Sequence, residues 1–156
     1  MIPTNLWQHQ NAVKTLYSRC VGGVCKKHGI SRVELDILLF LANNPCFDTA
    51  TDIVEIRYLT KSQVSEAVKR MEECGCLKRE YRQDNRKTAH LRICDAAAEI
   101  ILDGRAAQEK FAKIMMKDVP QEEIDCTRRC MSRIYENIRQ YLKEEHLQCT
   151  NSSSVL

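Results

Sequence analysis

Between Thr60 and Ile93 the period of the apolar residues changes once, from helical to extended, and it changes at a glycine. Val64, Ala67, Val68 and Met71 recur at helical steps, Thr60 and Gln63 stand where a capping box requires them, and Gly75 falls just past the last helical residue. Two runs follow, Cys76 to Arg82 and Lys87 to Ile93. In them Leu77, Tyr81, Ala89, Leu91 and Ile93 support short strands, and Gln83-Asp84-Asn85-Arg86 supplies turn chemistry between them. The spacing predicts one short amphipathic helix running directly into a β-hairpin with a charged tip.

Helices account for the rest of the chain. Leu6, Val13, Leu16, Tyr17, Cys20, Val21 and Val24 predict one helix over residues 5–28, weakened at Gly22-Gly23 and stopped by Gly29. Ser31 with Glu34 is another capping box, opening a buried helix through Leu35, Leu38, Leu39 and Leu41 that Asn43-Asn44-Pro45 ends. A short helix over 49–57 follows, carrying Ile53 and Ile56. From Asp95 the pattern is helical to His146, broken near Val119-Pro120, and Thr150 to Ser154 reads as a frayed tail. In the last helix Ile124, Met131 and Ile138 fall seven apart, with Ile134 and Tyr141 in a second heptad row.

Two short helices and a hairpin make a winged helix-turn-helix, so the expected fold class is mainly α with a small β-hairpin. The expected organisation is a single domain over 1–156, with the winged lobe at 31–94 and dimerisation helices at 5–30 and 96–147. The apolar stripes on those flanking helices exceed what one small lobe covers, which predicts a homodimer.

At 156 residues the chain is long enough to bury a core without a metal or disulfide. Its longest apolar run, Ile37 to Ala42, is far shorter than the ~20 residues a membrane-crossing helix needs. Met1 to Asn5 lacks the basic stretch and apolar core of a secretion signal. A cytoplasmic protein with no membrane partner is expected. Nine cysteines, an odd number, then read as reduced thiols. Cys20/Cys25, Cys74/Cys76 and Cys126/Cys130 all lack the two-residue spacing of a zinc knuckle, although Cys126 and Cys130 share a helix face, as two ligands or two small core residues. His9, His28, His90 and His146 form no ligand spacing and are expected at the surface. No metal and no cofactor are expected.

Basic charge is concentrated in the middle. Residues 57–92 hold ten Lys/Arg against five Asp/Glu, a net +5, while the remainder of the chain sums to −2. A polyanion partner fits that distribution, and the fold names double-stranded DNA: a helix enters the major groove, and a hairpin reaches the adjacent backbone or minor groove. The apolar stripe of the helix after Thr60 leaves Lys61, Ser62, Gln63, Ser65, Glu66, Lys69 and Arg70 facing outward, and the hairpin adds Arg86 and Lys87. Glu66 has two readings. Its carboxylate can accept from a cytosine amino group, or it can pair with Lys69 or Arg70 on its own helix.

Leu59-Thr60-Lys61-Ser62-Gln63-Val64-Ser65, Met71 to Arg79, Asp84-Asn85-Arg86-Lys87 and Ile93-Cys94-Asp95 together resemble the multiple-antibiotic-resistance regulators, the MarR family, from about Leu35 to Ile101. The resemblance implies a homodimeric transcription factor, without catalytic activity, whose recognition helices lie in successive major grooves. It further implies that Arg86 enters the minor groove with Asp84 holding it in place. Glu66 stands where relatives often have Arg, Ile93-Cys94 replaces a Leu-Thr helix start, leaving Asp95 as the substitute cap, and Ala97 replaces a Gly. Similar proteins are often repressors that respond to small aromatic or anionic effectors held between the dimer helices and the DNA-binding lobe. Trp7 and Tyr17 are candidates to line such a crevice, or packing residues. Others sense oxidants or zinc through Cys and His, so a cysteine-based redox or metal sensor stays open. A thiol redox enzyme using Cys74 and Cys76 is the remaining alternative, but Gly75 reads as a helix stop rather than part of a Cys-x-x-Cys turn.

Overall fold

The computed structural model describes the backbone of residues 6–82 and 85–152 and the side chains of residues 9–82 and 87–142. In chain order come α1 (Leu6–His28), α2 (Arg32–Asn43), α3 (Ala50–Arg57), α4 (Lys61–Glu73), β1 (Leu77–Arg82), β2 (Asn85–Ile93), α5 (Ala98–Met115) and α6 (Gln121–Ser152). A 3-10 turn, Asp95–Ala97, leads into α5. The fold is mainly α with one antiparallel hairpin, as the change of period predicts. The chain divides into two compact units, residues 1–113 and 114–156.

Three helices start on capping boxes. Ser31 with Glu34 opens α2, Thr49 with Asp52 opens α3, and Thr60 with Gln63 opens α4. In each, the hydroxyl accepts the N–H three residues on while the later side chain accepts the cap N–H, satisfying two donors that a helix start otherwise leaves bare. At its other end α4 closes in a Schellman turn: Gly75 N–H donates to Glu72 C=O at 3.0 Å and Cys76 N–H to Met71 C=O at 2.8 Å. Gly75 sits at φ 72, a conformation glycine reaches without a Cβ clash.

The core is built around α2. Leu35, Ile37 and Leu38 have no exposed surface, and Ile53 of α3, Val64, Val68 and Met71 of α4, and Leu77 of β1 are at most 2% exposed. Each such side chain stabilises the fold by ~1.5–3 kcal/mol relative to leaving it in water. Gly104 of α5 lies against this layer so closely that a Cβ there would stand 2.9 Å from Leu39 Cδ2. Tyr17 packs in the same unit, edge-on to Phe111 at 5.2 Å and beneath the Arg32 guanidinium at 4.3 Å, so of its two readings the packing one holds. The side chain of Trp7 lies outside the described residues.

The hairpin pairs Leu77 with Ile93 through Tyr81 with Ala89, then shifts register between Tyr81 and Arg82. It is not a free arm. Thr49 forms a bridge to His90, Leu91 N–H donates to Asp48 C=O at 2.7 Å, and His90 Nδ1 lies 2.6 Å from Asp48 Oδ1. The loop before α3 thus adds a one-residue third strand to β2.

Several local expectations change. Strand β1 begins at Leu77 because the Cys76 N–H is used to close α4, and Asn85, expected in the turn, already belongs to β2. Asp95 does not cap α5: it lies within the 3-10 turn, and Cys94, at the cap position, makes no side-chain capping bond. Helix α6 continues to Ser152, so no fraying appears at Thr150 to Ser152, and residues 153 and 154 lie outside the described residues. Cys126 and Cys130 are exposed, not core. His28 and His90 are not surface residues either. Their side chains are 11% and 13% exposed and each meets an aspartate, Asp103 and Asp48, from a distant part of the sequence. His9 is exposed, and the His146 side chain lies outside the described residues.

Candidate nucleic-acid interface

Helix α4 buries Val64, Ala67, Val68 and Met71 and exposes Lys61, Ser62, Gln63, Ser65, Glu66, Lys69 and Arg70, the seven candidates of this helix on one continuous outer surface. Its first turn is pre-ordered. Thr60 N–H donates to Gln63 Oε1 at 3.0 Å, and the Thr60 and Ser62 hydroxyls lie 3.1 Å apart. Gln63 therefore spends its carbonyl on the cap and keeps its NH₂ donors for a ligand. Lys61 makes no ion pair among the described residues. Lys61 and Ser65 line a cleft of about 590 Å³ whose other walls include Val54 and Glu55 of α3 and Arg79 of β1.

The last turn of α4 behaves differently. Arg70 Nε lies 3.3 Å from Glu34 Oε1, and the other oxygen of that carboxylate accepts the Ser31 N–H at 2.9 Å. Glu34 is 3% exposed, the single buried charged side chain among the described residues. Lys69 approaches Glu73 at 3.9 Å. Glu66 pairs with neither cation, contrary to its second reading, because Arg70 turns inward to Glu34 and Lys69 forward to Glu73. Sequence spacing places Glu66, Lys69 and Arg70 correctly on one face but cannot see the competitor on α2. The one available signal was that Glu34 is an ionisable residue standing between Val33 and Leu35 in a mostly apolar helix.

Much of the central basic charge is likewise consumed within the fold. Glu80 takes both Lys78 at 2.8 Å and Arg92 at 3.0 Å, and those two cations hold its carboxyl below the usual range. Arg79 pairs with Glu72 at 3.3 Å, and Arg57 approaches Asp36 at 3.9 Å. Lys87 is exposed on the hairpin. The backbone of Arg86 belongs to β2, but its side chain and the whole of Asp84 lie outside the described residues, as does the expected clamp between them. Tyr58, which sequence reading passed over, is 67% exposed in the turn between α3 and α4 at φ 53, a left-handed conformation that costs a non-glycine residue ~1–2 kcal/mol.

One cluster has metal-ligand chemistry. His28 at the end of α1 and Glu99 and Asp103 of α5 bring ligand atoms within 4.8 Å of one another. The place of a cation is already taken by the Lys27 ammonium, 2.8 Å from Glu99 and 2.7 Å from Asp103. Its hydrogen bonds hold both carboxyls below their ordinary values. The cluster clamps α1 to α5. No described helix is long and apolar enough to cross a membrane.

Comparison with known proteins agrees with this geometry. Residues 28–87 match the model of the MarR family. No curated protein sequence matches the chain. Among solved structures, one described as a MarR-family transcriptional regulator from Listeria monocytogenes in complex with a 26mer DNA superposes with a TM-score of 0.76 at 17% identity, covering 85% of this chain and 87% of that one. A structure of MarR gives 0.72 at 17% identity over 92% and 97% of the two chains. An S. aureus MepR–DNA complex gives 0.72 at 10% identity over 86% and 96%. Identities this low establish the fold alone. The match to the MarR family model thus runs from the end of α1 to the hairpin, and the fold of the chain is that of MarR-family winged-helix structures along nearly its whole length.

Proposed function

We propose that the protein is a homodimeric, sequence-specific regulator that binds double-stranded DNA, with α4 in the major groove and the hairpin tip against the neighbouring backbone or minor groove. The observation that carries the reading is the pre-ordered polar face of α4, Lys61 to Glu66, standing beside a hairpin that the fold pins in place. Two solved proteins of the same fold are in complex with DNA, which supports it further. Lys61, Ser62, Gln63 and Ser65 are the base- and phosphate-contacting candidates, with Lys69, Arg86 and Lys87 as cations along the flanks. Asp84 is the residue that would orient Arg86. Arg70 is the weakest of the candidates, being held by Glu34.

The homodimer reading rests on α6, which exposes Met131, Ile134, Tyr135, Ile138, Tyr141 and Leu142. A contiguous apolar surface of this kind on a terminal helix marks a protein interface. We assign the protein a repressor role answering to a small aromatic or anionic effector or to a chemical stress, by analogy with its family. Selection of bound fragments from random duplex DNA tests the whole: a pseudo-palindrome with half-sites about one helical turn (~10 bp) apart is expected, and an asymmetric single site or no enrichment refutes the dimeric reading.

A further inference from the structure

Strand β2 is held along both edges. One edge pairs with β1, and on the other Thr49 bridges His90 while Leu91 N–H donates to Asp48 C=O at 2.7 Å. Two main-chain contacts define a line about which the strand can still rock, and a third point removes that freedom. The side chains supply it: Asp48 Oδ1 lies 2.6 Å from His90 Nδ1, with the two groups 21% and 13% exposed. His90 stands five residues from Asn85, where β2 begins, a reach of about 17 Å at roughly 3.4 Å per residue. Tyr81, Arg82 and Lys87, along this outer part of the hairpin, are exposed. Rocking by about 10° at His90 would move the far end by about 3 Å, a whole hydrogen-bond length.

We infer that Asp48 and His90 are positioning residues for DNA binding: their bond sets the hairpin tip at the height where the tip and α4 meet one duplex together. The inference rests on the DNA-binding reading above and assigns neither residue a contact with DNA. Thr49, beside Asp48, caps α3, and α3 leads through Tyr58 and Leu59 to the Thr60 cap of α4. The anchor of the hairpin and the start of α4 thus share one support. A phosphate contact from Arg86 or Lys87 requires its donor within about 3 Å of an oxygen, so it tolerates little of the displacement that this lever arm would magnify.

The test uses the full chain. Asp48→Ala removes a partly exposed side chain and leaves both main-chain contacts, and circular dichroism confirms that it folds. Asp48→Asn keeps a side-chain oxygen that accepts from His90. Hydrogen exchange of the β1–β2 ladder amides should be about tenfold faster in Asp48→Ala, the loss of one bond to a charged group, with α4 unchanged. In salt titrations of duplex binding, the slope of log affinity against log salt should fall by ~0.9 for each phosphate contact the tip loses. In a chain already carrying Arg86→Ala and Lys87→Ala, Asp48→Ala should change affinity by less than about twofold, because no tip contact is left to misplace. Asp48→Asn should restore both exchange and slope. Unchanged hairpin exchange in Asp48→Ala, an affinity loss that persists undiminished without the tip cations, or an Asp48→Asn variant that behaves as Asp48→Ala overturns the inference. A native chain that binds no duplex refutes the regulator reading instead, and the exchange measurement, which needs no DNA, stands or falls by itself.

Discussion

The carboxylate of Glu34 joins the first turn of α2 to the last turn of α4: one oxygen accepts the Ser31 N–H at 2.9 Å and the other lies 3.3 Å from Arg70 Nε. A residue that caps one helix therefore also fixes the azimuth of α4, the helix proposed to meet DNA. Arg70→Ala leaves a buried carboxylate with its cap bond but no cation, and we expect a loss of ~1–2 kcal/mol, below the range for breaking a fully buried pair because Arg70 is half-exposed. Urea unfolding measures it. If Arg70 acts by holding α4, the slope of log affinity against log salt should be unchanged. A fall of ~0.9 in that slope would make it a phosphate contact instead.

Glu66 has no cation partner among the described residues, so its substitution is a direct probe of the proposed DNA contact. Glu66→Gln should relax preference at one operator position by ~1–3 kcal/mol if the carboxylate accepts from a cytosine amino group. A small uniform rise in affinity across all sequences would show that Glu66 only repels phosphate. A binding profile across a randomised operator distinguishes the two.

The clamp of Lys27 on Glu99 and Asp103 has a defined pH window. Both carboxyls are depressed, from ordinary values of 4.5 and 3.8, so their contribution is present above those values and is lost as pH falls through the lower folded-state values. Lys27 is shifted upward, so its contribution is complete below 10.5 and lost only above that value. The difference in melting temperature between the native chain and Lys27→Met should be constant from about pH 5 to 9 and shrink toward zero as the pH falls below the ordinary values of the two carboxyls. A difference that persists at pH 2 would place the effect in packing of the lysine stem.

Two glycines of the long helices should respond in opposite directions. Nothing lies within 4 Å of a Cβ at Gly23, and Gly23→Ala should stabilise by ~0.5–1 kcal/mol through helix propensity. At Gly104 the new methyl meets Leu39 and Leu35, which are 2% and 0% exposed and have no room to retreat, so ~1–3 kcal/mol of overpacking outweighs the same gain. Thermal denaturation of both variants checks the pair.

What the sequence disclosed was whatever is local. The capping boxes at Ser31 and Thr60, the stop at Gly75 and the inward stripe of α4 each depend on residues within one or two turns, and the structure has them as read. Thr49 with Asp52 was equally legible and was passed over. Interactions between elements far apart in the chain were not visible. The aspartates opposite His28 and His90, 75 and 42 residues away, turned supposed surface histidines into partly buried ones. The net charge of the central segment was readable, but not its internal neutralisation by Glu34, Glu72 and Glu80, which depends on which side chains the fold brings face to face.

The bridge from Thr49 to His90 makes the stretch between α2 and α3 a gauge for the hairpin. Since Asp48 and Thr49 grip β2 while Thr49 also caps α3, the placement of β2 against α3 is tied to the few residues from Asn44 to Thr49. An insertion there would re-space the hairpin without altering a single group on α4, so, on the proposed DNA-binding reading, groove spacing and base preference can diverge independently in proteins built on this plan.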